Sequence, residues 1–358
     1  MIKLDTNLFI ENTEKNPKKL VLNGRSISEV VCGTSEKLTY LDLTENSISD
    51  VSGIASAFPN LTTLKLNKNH ISEAHIGKLE SLKHLVLLDL SGNKELTYLP
   101  RKPFSKLNDL QAFIASDCSI SKVKNSLNLC KKLNTIILSR NNLTEFPENI
   151  LIETSETLSK LNLSNNELSA FPNFSNSSKL VEINLNNNKI SEIDKSISGA
   201  IDLRILNLCH NQITSFSELE KLKKNRLLIQ LNLRGNPICE DEGYLDKIKE
   251  LFPNLQILDT KRIKEKVKIG KRSAQEQEHI RNRAREFEEF AKQAPISKKR
   301  REEEEVQEEQ ETPQKETEKP QIVNNEDELE QKVKIIVSKK SKKQSINWND
   351  LEESEGSW

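Results

Sequence analysis

The feature that most constrains this chain is a repeat. In "LSKLNLSNNELSAFP", residues 158–172, leucines stand at Leu158, Leu161, Leu163 and Leu168, with Asn166 between the last two. The spacing L-x-x-L-x-L-x-x-N-x-L fits neither a helical period nor a strictly alternating strand. It recurs through the first two-thirds of the chain. Its ninth position is filled in turn by Asn46, Asn69, Asn93, Cys118, Asn141, Asn166, Asn188, Asn211 and Asn236, at intervals of 22 to 25 residues. A sustained period in the low twenties predicts a solenoid of stacked units, not a closed domain. A degenerate first copy, Leu20–Ile27, has Arg25 at the asparagine position.

The residue types follow from what one unit must do. Leu161, Leu163 and Leu168 point inward, and a single unit cannot bury them alone, so neighbours stack. The chain then turns sharply out of a short strand and strands backbone groups inside. Each buried group left unpaired costs about 1–3 kcal/mol. An asparagine amide offers both donor and acceptor to them, and identical positions in stacked units form a ladder. Cys118 is a smaller substitute with a weak thiol donor.

On these motifs residues 20–259 resemble the leucine-rich repeat (LRR) family. The resemblance implies an α/β fold, a leucine-rich repeat solenoid with a parallel sheet on its concave face and helices or irregular turns behind. "YLDKIKELFPNLQILD", Tyr244–Asp259, resembles the C-terminal cap of intracellular members of the family, the U2A′-like LRR cap. A cap is physically required, because the last repeat would otherwise leave its leucines in water. Tyr244, Leu245, Ile248, Leu251, Leu255 and Leu258 are the residues to cover it. The expected organisation is an N-terminal cap segment over 1–19, about ten repeats over 20–243, the cap over 244–259 and a charged tail over 260–358.

Composition bounds the setting. No apolar stretch approaches the roughly 18 residues of a membrane span, and the N-terminus lacks the apolar core of a signal peptide. The five cysteines are Cys32, Cys118, Cys130, Cys209 and Cys239, with no close pair of the kind that caps extracellular repeats. The reading is an intracellular chain with reduced thiols, nuclear or cytoplasmic. The net charge is zero.

The tail carries 23 basic and 23 acidic residues in 99 and few large apolar ones. Such a segment cannot offset its ordering entropy and is expected to be mostly disordered. Within it Ser273 and Glu276 form a capping box, and Ile280, Ala284, Phe287 and Ala291 share one face, which marks a helix over 273–293, either packed on the cap or read by a partner. Lys298, Lys299, Arg300 and Arg301 form a basic tetrad of the nuclear-import kind, or simply disordered charge. In "SINW" Ile346 and Trp348, with basic residues before and acids after, are similar to the docking peptide of type-1 protein phosphatase.

No enzyme is read from the chain. The histidines are scattered, no metal-ligand spacing occurs, and no phosphate-binding glycine loop or cofactor motif appears. His210 and Cys209 adjoin, but neighbours on a strand point to opposite faces. Function is therefore sought on the concave face, where the third and fifth positions look outward. Leu87, Ile114 and Ile137 lie there on three consecutive repeats, bordered by Asp89, Asp117 and Arg140, and adjoining apolar residues mark a protein-partner site. Tyr40 shares the third-position row. Asn162, Asn184, Asn207 and Asn232 form a fifth-position row suited to an extended peptide. Ordinary repeat surfaces also carry such residues without a ligand. Nucleic acid is expected only as a weak contact through the basic tail, since the repeats show no basic stripe or stacking aromatics. The expected function is a non-enzymatic scaffold; the alternatives are a phosphatase regulatory subunit or a component of a nuclear ribonucleoprotein assembly.

Overall fold

The computed structural model describes residues 2–124 and 126–264. The sequence expectations for 265–358 lie outside them: the disordered tail, the helix over 273–293, the tetrad Lys298–Arg301, and Ile346 with Trp348.

The first half of the described chain contains β1 (Ile2–Leu4), α1 (Thr6–Thr13), β2 (Lys19–Val21), β3 (Ile27–Val30), β4 (Tyr40–Asp42), α2 (Ser52–Ala57), β5 (Thr63–Lys65), α3 (Glu73–Ile76), β6 (Leu87–Asp89), β7 (Tyr98–Leu99) and β8 (Ala112–Ile114). The second half contains β9 (Lys122–Val123), β10 (Thr135–Ile137), α4 (Glu148–Glu153), β11 (Lys160–Asn162), β12 (Glu182–Asn184), β13 (Ile205–Asn207), α5 (Phe216–Glu220), β14 (Gln230–Asn232), α6 (Tyr244–Leu251), β15 (Ile257–Leu258) and β16 (Lys261–Arg262).

One strand per repeat builds a sheet of twelve strands in the order β2-β4-β5-β6-β8-β10-β11-β12-β13-β14-β15-β16. All neighbours are parallel except the β15–β16 hairpin. Within the repeats each full strand spans the third, fourth and fifth positions, and like pairs with like: Thr135↔Lys160, Ile136↔Leu161, Ile137↔Asn162. Register is fixed because a slip of one residue would turn the buried fourth position outward. Counted from the Leu20 copy, the Leu158 copy is the seventh repeat.

The core is the inward set of each repeat. Leu158, Leu161, Leu163 and Leu168 are buried, as are their counterparts along the solenoid. Behind the sheet the chain returns through helices of one or two turns and through 3-10 segments such as Gly77–Ser81 and Lys195–Gly199. These back segments stack behind strands that are roughly 4.8 Å apart, less than half the 10–12 Å diameter of an α-helix with its side chains, so narrow segments fit with less splay than full helices.

The asparagine ladder works through three to five contacts per rung. Asn166 Oδ1 accepts the Leu143 amide at 3.0 Å, and its Nδ2 donates to the carbonyls of Leu138, Leu163 and Ser164 at 2.9, 3.0 and 3.2 Å. Each asparagine thus satisfies its own turn and pins the preceding repeat. At Cys118 only two long thiol contacts remain, to Leu90 and Ser116 carbonyls at 3.4 Å. The preceding loop is one residue longer there, and the Leu96 amide bonds the Asn93 carbonyl at 3.1 Å. The acceptor that the cysteine lacks is therefore not needed.

The eighth position carries a second regularity. Glu45, Lys68, Asp117, Arg140, Asn165, Asn187 and His210 all have φ between 50° and 57°, and Gly24, Gly92 and Gly235 between 65° and 75°. The turn into the ladder requires the left-handed region, which costs a non-glycine residue up to about 1–2 kcal/mol. The stacked hydrogen bonds hold the residues there.

At the N-terminal end Asp5 caps α1 through the Leu8 amide at 2.9 Å, Leu4 is buried, and Phe9 packs on Phe58 with centroids 5.5 Å apart. At the other end α6 lays Ile248 into the core, followed by Phe252, Leu255 and Leu258, all buried. Tyr244 and Leu251 pack against that core, but Leu245 is 43% exposed. It follows Tyr244 by one residue, about 100° around the helix, and so faces away.

Candidate functional site

The outward face of the sheet is formed by third- and fifth-position side chains. Ile114 and Ile137 are direct neighbours across β8 and β10, and both are half-buried. Leu87 pairs with Ala112, on the third-position row. It therefore lies diagonal to Ile114, whose partner on β6 is Asp89. Tyr40 occupies the same row as Leu87, two strands away through Thr63, with Lys19 Nζ 4.9 Å from its ring centroid.

Asp89 does not border this group as a free carboxylate. It is 8% exposed. Its Oδ1 accepts the Ser91 amide and hydroxyl at 3.1 and 2.8 Å, and its Oδ2 accepts Asn67 Nδ2 at 2.8 Å. Asp117 and Arg140 are exposed in the left-handed turns. Asp117 holds Lys94 at 2.8 Å across the repeat boundary.

The row of asparagines is more committed than the sequence indicates. In each, Oδ1 accepts the amide two residues ahead: Ser164, Asn186, Cys209 and Arg234 donate to Asn162, Asn184, Asn207 and Asn232 at 3.0, 3.1, 3.1 and 3.2 Å. The acceptors close the turn, and the Nδ2 groups are the part that remains for a ligand. Asn162 itself is buried at 6% exposure, whereas the other three are half-buried. The fifth position is thus a turn-forming position first and a surface second.

Neighbouring charges differ between the two halves. Glu45 holds Lys68 at 2.8 Å and Glu182 holds Lys160 at 3.2 Å. Arg204 and Arg234, both exposed, have no carboxylate partner among the described residues. Neither guanidinium follows from the leucine pattern; the signal was their place at the second and seventh positions beside the asparagine row. At the cap Tyr244 Oη donates to Asp259 Oδ2 at 2.9 Å, and Asp259 Oδ1 accepts the Leu233 amide at 2.7 Å. Burial and the Asp259 charge push the Tyr244 hydroxyl above its ordinary range. Beside it lies an open pocket of about 710 Å³ whose lining includes Arg234, Lys249, Lys261 and Arg262.

Among the described residues no group of three or more His, Cys, Asp or Glu could hold a metal ion. Cys209 is buried while His210 is exposed, so the adjoining pair points apart. Desolvation pushes the Cys118 thiol up to about 11 and the Cys130 thiol up to about 12, away from the nucleophilic thiolate. No helix among the described residues is long and apolar enough to cross a membrane.

Comparison with known proteins places the repeats. Residues 172–260 match the family described as NXF1/2/3/5 leucine-rich repeat domain, residues 59–120 the family leucine rich repeat, and residues 36–75 the family leucine rich repeats, two copies. The chain is 34% identical over 119 residues to the U2 small nuclear ribonucleoprotein A′ of Mycosarcoma maydis, covering 33% of this chain and 48% of that protein. It is 32% identical over 106 residues to the U2 small nuclear ribonucleoprotein A′ of Eremothecium gossypii, covering 29% of this chain and 44% of that protein. It is 29% identical over 100 residues to geranylgeranyl transferase type-2 subunit alpha of Mus musculus, covering 28% of this chain and 18% of that protein. The chain therefore spans less than half of these relatives' length, and relatives of its repeats include a subunit of an enzyme.

Proposed function

The chain belongs to the leucine-rich repeat proteins, and from that premise we propose that it is a scaffold that binds a protein partner on its sheet face. The observation that carries this reading is the Ile114–Ile137 pair. Two branched aliphatic side chains face each other on the outward side of the sheet, with Leu87 diagonal to them. They stand where solvent-facing strands ordinarily carry polar residues. A partner that covers them buries the apolar surface that each half-buried side chain still exposes, worth about 1 kcal/mol per side chain.

The test is affinity capture with the full chain and with the Ile114→Asp, Ile137→Asp double variant. Both side chains point out of the sheet, so the variant keeps its circular dichroism and melting temperature. Its partner is lost. Retention of every bound protein by the folded variant overturns the reading. The same capture with Ile346→Ala and Trp348→Ala addresses docking of type-1 protein phosphatase through the tail, and loss of binding there alone moves the function to the tail.

A second reading is favoured by one comparison, the U2 small nuclear ribonucleoprotein A′ similarity. In that reading the partner is a protein of a nuclear ribonucleoprotein assembly, and the chain resides in the nucleus. Capture from nuclear extract before and after ribonuclease treatment tests it. A direct partner stays bound after the RNA is removed.

A further inference from the structure

We propose that the sheet face of the seventh to tenth repeats binds an extended acidic peptide. The inference rests on the reading of the sheet face as the working surface and gives that surface a second, chemically distinct half.

Three observations carry it. The first is the donor row. Asn162, Asn184, Asn207 and Asn232 lie in register on β11, β12, β13 and β14. Their Oδ1 atoms are held by the turn amides. What the half-buried Asn184, Asn207 and Asn232 offer outward is therefore amide N–H alone, repeated about every 4.8 Å along the sheet, with Asn162 buried at the start of the row. Only acceptors complement it.

The second is charge. From the second to the eighth position these four repeats contain three fixed cations, Lys160, Arg204 and Arg234, and one acid, Glu182. Glu182 is held by Lys160 at 3.2 Å. Arg204 and Arg234 have no carboxylate partner among the described residues, and they flank the row from its two sides. The second to fifth repeats reverse the balance, with Asp42, Glu45, Asp89 and Asp117 against Lys65 and Lys68. The seventh to tenth repeats therefore differ from the second to fifth in the sign of their charge.

The third is the end of the row. Arg234 also lines the pocket of about 710 Å³ at the cap, whose lining holds the cations Lys249, Lys261 and Arg262 and one acid, Asp259, which bonds the Leu233 amide and the Tyr244 hydroxyl. An extended chain laid across the strands meets amide donors along its length, a guanidinium on either side, and a basic pocket where it ends. Carboxylates take charge-assisted, bidentate bonds from arginine. A nucleic acid would match the charge, but the same positions hold no Phe, Tyr or Trp on which bases could stack. The peptide is therefore the favoured polyanion.

The row can be altered without breaking the turn. Asp42 and Asp89 hold the same position in the second and fourth repeats, and each Oδ1 accepts the amide two residues ahead at 3.1 Å. Asn184→Asp with Asn207→Asp therefore keeps the acceptor and replaces the donor by negative charge. The experiment measures binding of a fluorescent glutamate decapeptide to the full chain by anisotropy, at low and at raised salt. The wild type binds, more weakly as salt rises. Binding falls about tenfold or more with Arg204→Ala plus Arg234→Ala, and by at least as much with the Asn→Asp pair. Folding of each variant is checked by melting.

Ile114→Ser with Ile137→Ser, which removes the apolar pair without placing a charge beside Asn162, leaves decapeptide binding unchanged. Absence of decapeptide binding overturns the proposal, as does binding that ignores both the arginine and the asparagine substitutions. Tighter binding of an oligouridylate with the same residue dependence also overturns it, in favour of nucleic acid. If the decapeptide fails while protein capture still depends on Ile114 and Ile137, the acidic-ligand inference falls alone and the scaffold reading stands.

Discussion

At the ninth position of a repeat, one side chain decides the fate of several backbone groups. Asn166 serves one amide and three carbonyls, whereas Cys118 touches two carbonyls at 3.4 Å through a weak thiol donor. Asn166→Ala is expected to cost at least about 2 kcal/mol, since the Leu143 amide and the Leu138 and Leu163 carbonyls lose their buried partner. Cys118→Ala is expected to cost about 1 kcal/mol or less. Urea midpoints of the two variants compare them directly, and equal midpoints would contradict the ladder. The thiols give a second check at this scale. With their pKa values pushed up to about 11 and about 12, Cys118 and Cys130 are nearly all protonated at pH 8 as well as buried. Iodoacetamide followed by mass spectrometry should label half-buried Cys32 and Cys239 in the native chain, and Cys118 and Cys130 only on unfolding. Labelling of Cys130 at the rate of Cys32 would sink this assignment. The ladder was legible because the L-x-x-L-x-L-x-x-N spacing within each unit is constant although the units differ in length. The fifth-position turn bonds were not, because asparagine at a surface position reads equally as a turn-former or as a ligand contact, and only the geometry shows that Oδ1 is taken.

Elements in this chain are short, and their limits come from stacking. The strand positions follow from the period, but the back of each repeat does not: leucines there are compatible with helix, 3-10 turn or loop, and close stacking decides among them. Gly199 shows how tight that side is. A Cβ there would lie 2.4 Å from the Phe174 and Ser175 carbonyl oxygens. Gly77, at the start of the Gly77–Ser81 segment, has nothing within 4 Å of its Cβ position. Gly199→Ala should therefore cost about 1–3 kcal/mol. Gly77→Ala should be neutral or stabilise by about 0.5 kcal/mol through the unfolded chain. Denaturation midpoints that move alike for the two would show that the back segments have slack. The cap illustrates the same limit in reading: six apolar residues mark it in the sequence, yet Leu245 points outward, because a two-turn helix has one buried stripe and adjacent residues cannot share it.

Across the whole solenoid, each repeat touches only its neighbours, so stability is a chain of nearest-neighbour terms and the ends are its exposed faces. The C-terminal face is closed by α6, by the β15–β16 hairpin and by Asp259, which joins the Leu233 amide to the Tyr244 hydroxyl. A chain ending at Lys264 keeps all of these. A chain ending at Glu242 keeps every repeat but loses the partners of Leu231 and Leu233, and with them the cover over the last leucines. The first truncation is expected to melt as one cooperative transition and to stay soluble. The second is expected to expose the edge strand β14, whose unpaired amides and carbonyls template association, and to aggregate. Light scattering and thermal melting at equal concentration distinguish the two. Equal solubility would mean that the tenth repeat closes itself and that the segment from Tyr244 to Lys264 is an appendage. Because the same segment supplies Lys249, Lys261 and Arg262 to the basic pocket, its integrity bears on binding as well as on folding. The single substitution Asp259→Ala separates the two roles: it removes the Leu233 and Tyr244 contacts while leaving every cation in place. It should lower the melting temperature without abolishing decapeptide binding below the melt, and loss of binding by the still-folded variant would tie the ligand site to the cap's hydrogen bonds instead of its charge.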